Sequence, residues 1–109
     1  FVQEIPATDD AILNVQRALQ ADAAARSYRY HHFRENCTTK VRDHVDRAMG
    51  GALTGLPGTA PSWRVQARAA LSAHPTYLVA VEFAGRGVDR PLSTWEALSV
   101  PARLRDAVA

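Results

Sequence analysis

Between positions 50 and 61 the chain carries four glycines and two prolines with no hydrophobic period, and no helix or strand of ordinary length can run through such a stretch. The break separates two helical patterns upstream from several shorter ones downstream. A loop of this length is more than a connector and can border a site.

Upstream of the break, Ile12, Val15, Leu19 and Ala23 recur at helical spacing behind Thr8. Thr8 suits an N-cap, and Asp9 and Asp10 complement the helix dipole, so the pattern predicts a helix over 9–25 with one apolar face. Residues 1–6 alternate weakly up to Pro6 and read as a short strand or an extended lead-in. Residues 27–33 are aromatic and read as a short strand, with Tyr28, Tyr30 and His32 on one face and Arg29, His31 and Phe33 on the other. After a polar turn at 34–36, Cys37, Val41, Val45 and Ala48 follow at helical spacing. That predicts a helix over about 37–50, stopped by Gly50-Gly51, with Cys37 at its start.

Downstream, Ser62 can cap a helix reaching about residue 73, and Pro75 can open a further segment, helix or strand, to Gly85. Ser93-Thr94-Trp95-Glu96 has the capping-box form, and Pro101 restarts a last helical turn or two. The fold class expected is therefore mainly α with one or two short strands. A length of 109 residues corresponds to a single domain or a domain fragment. Because the chain begins with Phe1 and shows no basic-then-apolar leader, we expect a processed protein or a piece of a longer one.

Composition excludes more than it assigns. Charged residues at 22% and hydrophobic residues at 47% are those of an ordinary globular chain. The most apolar stretch, 77–84, is far shorter than a spanning helix and contains Glu82, so no transmembrane segment is expected within the chain. Twelve arginines and Lys40 are interleaved with eleven carboxylates. A nucleic-acid interface would cluster its cations, so no nucleic-acid partner is expected. The single cysteine cannot close an intrachain disulfide and leaves a free thiol.

That thiol is the principal chemical feature. At a helix N-terminus a thiol ionises more readily, because unpaired backbone N–H groups and the positive end of the dipole stabilise the thiolate. The same amides are placed to hold the oxyanion that forms when a thiolate attacks a carbonyl, at roughly 3–4 kcal/mol per donor. The plainer reading is a cysteine that merely packs as a small hydrophobe. His31 and His32 precede Cys37 closely enough to fold back as a base. His44 is about 10 Å further along the helix and reads as structural or surface. Cys37 and these histidines lack the paired ligand spacing of a zinc site, so neither a metal nor a cofactor is expected.

The run Tyr28-x-Tyr30-x-x-Phe33-x-x-Asn36-Cys37-Thr38-Thr39-x-x-Arg42-Asp43 resembles the signature of the Lnb-type N-terminal periplasmic domain family. The similarity continues through Gly50-Gly51, Trp63-Arg64 and Asp89-Arg90-Pro91-Leu92-Ser93-x-Trp95-Glu96 to Pro101. The resemblance implies a circularly permuted papain-like α+β fold, similar to lecithin:retinol acyltransferases, in which an Asn-Cys pair opens a helix. It implies location in the bacterial periplasm or envelope, and acyl transfer from a phospholipid to the amino terminus of a lipoprotein. Cys37 would be the nucleophile forming a thioester, and Asn36 would shape the turn or polarise the site. The family's base histidine lies on a strand well upstream of the Asn-Cys pair, so the resemblance implies that the 109 residues are the C-terminal, helix-rich part of the domain. The missing N-terminal half would then be a partner; in a complete chain the base would be His31 or His32. The expected function is a cysteine-dependent acyltransferase acting on a phospholipid or lipoprotein ester. The alternatives are a thiol hydrolase or peptidase of the same fold and a non-catalytic envelope interaction module.

Overall fold

The computed structural model describes residues 2–109, and Phe1, at the head of the expected lead-in, lies outside the described residues. The chain divides into two compact units, one of residues 1–56 with 98–109 and one of residues 57–97. The fold is mainly helical with one two-stranded antiparallel sheet, the class that the helical periods and caps predict.

In the first unit, α1 covers Asp9–Ala25. The Thr8 side chain accepts from the Ala11 amide, and Asp9 and Asp10 occupy the first turn. The helix ends where Arg26 takes φ 56°, a left-handed conformation that a C-cap requires. Its apolar face is only partly covered: α1 packs on α2, yet Ile12 is 53% and Leu19 is 50% exposed.

The segment 27–33 is not the strand that its alternating aromatics suggest. Residues 27–30 run without regular structure into a turn over 31–35 closed by a single bridge between His31 and Glu35. Two local acceptors divert the backbone from an extended path. His31 Nδ1 accepts from the amides of Phe33 and Arg34, at 3.3 and 3.2 Å, and the His32 carbonyl accepts from Asn36 Nδ2 at 3.0 Å. Such side-chain to backbone bonds compete directly with a ladder.

Helix α2 spans Cys37–Ala48. Gly50 and Gly51 stop it at φ 66° and 85°, with the Gly51 amide returning to the Asp46 carbonyl at 2.8 Å. The Asp46 carboxylate then gathers the next turn, accepting from the amides of Leu53 and Thr54 and from the Thr54 hydroxyl. The His44 side chain is largely covered, 15% exposed, and is hydrogen-bonded through Nε2 to Asp22 at 3.0 Å. Helix α6, Pro101–Val108, packs on α2 and buries Leu104.

In the second unit, β1 (Thr59–Ala60) pairs antiparallel with β2 (Leu92–Ser93), Ala60 opposite Leu92. The Ser62 side chain caps α3, Trp63–Ala70, and Pro75 opens α4, Pro75–Phe83. The segment that could have been helix or strand is therefore helix. The two helices pack together and are tied by Arg64. Its guanidinium binds the Asp89 carboxylate and the carbonyls of Val81 and Ala84 at the end of α4. Hydrogen bonding to Arg64 pulls the Asp89 carboxyl below its ordinary range, as Arg68 does for Glu82.

The capping box of α5, Thr94–Ala97, forms as its sequence predicts. Ser93 Oγ accepts from the Glu96 amide at 3.2 Å, and Glu96 Oε2 accepts from the Ser93 amide at 3.0 Å. Arg90 holds the same carboxylate, with its guanidinium 5.6 Å over the Trp63 ring. This bond, with the Ser93 bonds adding to it, holds the Glu96 carboxyl at about 2.

Candidate active site

Cys37 is the first residue of α2, and the turn that presents it is fixed from both sides. Asn36 Oδ1 accepts from the Thr39 amide at 2.9 Å, and Thr39 Oγ1 accepts from the Asn36 amide at 2.9 Å. The capping box thus brackets the thiol. Asn36 Nδ2 donates to the Ser99 carbonyl at 3.4 Å, which fastens the start of α2 to the segment leading into α6. Thr39 is 1% exposed and Arg42, one turn further on, is 8% exposed, so this helix end is anchored. Cys37 itself is exposed.

The capping bonds leave a defined set of donors. Thr39 N–H goes to Asn36, and Lys40 N–H begins the helical ladder on the Asn36 carbonyl. Among the described residues, the amides of Cys37 and Thr38 have no hydrogen-bond acceptor. Two N–H groups, that of the sulfur-bearing residue and that of the next, thereby have no acceptor among the described residues.

The thiol opens onto an apolar groove of about 560 Å³ in the first unit. Its walls are Cys37, Val41 and Val45 along one face of α2, and Pro101, Leu104 and Val108 along α6. Ile5 of the N-terminal lead-in closes a side, held there by the Gln3 side chain donating to the Arg105 carbonyl at 3.2 Å. The i, i+4 spacing of Cys37, Val41 and Val45 is visible in the sequence. The contributions of Ile5 and α6 are not, because they depend on tertiary placement.

The two candidate histidines are placed differently from one another. His31 Nδ1 accepts two amides, so its remaining proton sits on Nε2 and the ring presents a donor outward. His32 Nδ1 lies 3.5 Å from the Tyr30 hydroxyl, and its ring stacks edge-on against Phe33 at 5.0 Å. Among the described residues, neither imidazole is hydrogen-bonded to Cys37. No group of three or more metal-ligating side chains is present among the described residues.

The model of the Lnb N-terminal periplasmic domain matches residues 2–69, 68 of the 109 residues. No curated protein and no solved structure matches the chain. No helix among the described residues is long and apolar enough to cross a membrane. The match takes in the whole Asn36-Cys37 turn, α1 and α2, and the chain belongs to the Lnb N-terminal periplasmic domain family, a family of the bacterial periplasm.

Proposed function

We propose that this chain carries the nucleophile of a cysteine-dependent acyltransferase, acting on a phospholipid or lipoprotein ester through an acyl-enzyme at Cys37. The observation that carries the reading is the position of Cys37 in the wall of an apolar groove and at the start of a capped helix. A thiol nucleophile and candidate oxyanion donors at the first turn of α2 then meet an apolar groove suited to an acyl chain.

In this mechanism the thiolate attacks the ester carbonyl, and the amides of Cys37 and Thr38 receive the developing oxyanion. Collapse forms the thioester and expels the alcohol, which takes a proton from the acid form of the base. An amine then attacks the thioester, giving an amide and returning the thiol. Asn36 is a positioning residue that fixes the turn. Of the two nearby histidines, His32 is better suited as base. When its Nδ1–H donates to Tyr30, Nε2 carries the lone pair, whereas His31 is fixed in the opposite tautomer. The permuted papain-like fold, similar to lecithin:retinol acyltransferases, is part of this proposal.

Product analysis with and without an amine acceptor tests the reading. Transfer predicts an N-acyl product whose yield rises with the amine at constant ester consumption. Free fatty acid in both cases would instead identify a thiol hydrolase.

A further inference from the structure

A second concavity, about 570 Å³, lies in the first unit against the turn that replaces the expected strand. Its lining is unlike that of the apolar groove. Arg29 and Arg34 come from the turn, Lys40 from α2, and the rings of Tyr28, Tyr30 and His31 complete the wall. The one carboxylate present is Glu35, 3.5 Å from the Lys40 ammonium. Three basic residues and one carboxylate thus line this concavity. The Lys40 ammonium also sits 5.0 Å over the Tyr28 ring, which holds this cation at the pocket wall.

We propose that this pocket is a binding site for a phosphate group. Three cations around one concavity match a tetrahedral oxyanion, which offers an oxygen to each, better than a carboxylate, which offers two. Arginine forks supply paired N–H donors, and lysine supplies a point charge.

The position of the pocket gives it a role. Lys40 is three residues after Cys37 on α2, about 4.5 Å along the axis. The cationic pocket thus takes one side of the first turn and the apolar groove, with the thiol in its wall, takes another. An amphiphile with a phosphate head and an acyl tail would place its ester near the sulfur, an implication that rests on the acyl-transfer reading; phosphate binding itself does not.

The test is a ¹H–¹⁵N NMR titration of the Cys37→Ser protein, which cannot form an acyl-enzyme, so that failed binding and failed catalysis are read separately. One arm uses inorganic phosphate, one a short-chain phosphatidylglycerol below its micelle concentration, and one sodium chloride at matched ionic strength. The expected result is saturable shifts of the amides of residues 28–35 and 40 with a phosphate probe and none with chloride. The paired variant Arg29→Gln with Arg34→Gln should weaken them roughly tenfold or more. Lys40→Gln, on a helix whose caps it does not touch, should weaken them as well. Saturation by inorganic phosphate identifies the phosphate group alone as sufficient, and saturation by the lipid only identifies a headgroup as the source; both uphold the site. Shifts no larger than those with chloride, or binding unchanged in both variants, would overturn it.

Discussion

Asn36 and Thr39 hold each other by reciprocal hydrogen bonds of 2.9 Å, each side chain bonded to the other's amide, and Cys37 lies between them. The position of the thiol is therefore set by a four-residue device that also starts a helix. Removing either partner should act on stability and on reactivity together. Asn36→Ala and Thr39→Ala are each expected to cost about 1–2 kcal/mol in urea unfolding. Asn36→Asp, which keeps the cap acceptor, should recover most of that loss but not the bonds that Nδ2 gives to the His32 and Ser99 carbonyls.

His32 is separated from His31 by its surroundings rather than by its distance in sequence. His31 Nδ1 is engaged by two amides, so of these two histidines His32 is the one proposed as base. His32→Gln is expected to lower the acylation rate by about 100-fold or more, and His31→Gln by far less. Pre-steady-state release of alcohol from an activated ester measures both. Equal rates in the His32→Gln variant and the parent would exclude His32 as the base.

Val41 stands next to Cys37 on the groove wall and is 54% exposed, so a polar replacement there changes the groove without emptying a core. Val41→Asp places a charge where an acyl chain would lie. The variant should lose roughly tenfold or more in kcat/KM on a dodecanoyl ester, and little on an acetyl ester, which does not reach into the groove. Equal losses on both esters would argue against an acyl-chain groove.

Glu96 gives the second unit a dependence on acid. Its carboxyl, bound by Arg90 and by the Ser93 amide, titrates at about 2 against an ordinary 4.5. A depressed folded value means that the contribution is complete above the unfolded value and is lost as pH falls from about 4.5 to about 2. Since the side chain is 28% exposed, solvent screening reduces it to about 1–2 kcal/mol at neutral pH. Urea unfolding from pH 7 to 2.5 should show the parent converging on Glu96→Gln as acid is added. A constant difference between the two would contradict the assignment.

The sequence carried the features that are local. Thr8, Ser62, Ser93 with Glu96, and Gly50-Gly51 each mark a helix end through a side chain or a φ value that acts within four residues, and each is found at that end. The two-residue strands carry no period and are fixed by ties such as the Thr94 hydroxyl donating to the Pro57 carbonyl at 2.8 Å. The aromatic alternation of 27–33 misleads because His31 and Asn36 satisfy the backbone locally. Within the candidate site, Asn36 and Cys37 are legible as a helix start. The groove is not, since Ile5 and Leu104 reach it from distant parts of the chain. The bonds of Arg64 to the carbonyls that end α4 likewise depend on tertiary placement.

The central claim is that Cys37 is the residue that becomes acylated, and intact-mass and peptide-mass analysis of the protein after exposure to p-nitrophenyl dodecanoate measures this directly. The account predicts one dodecanoyl adduct, on the peptide containing Cys37, removed by neutral hydroxylamine and missing from Cys37→Ser. No adduct, or an adduct that persists in Cys37→Ser, would contradict it.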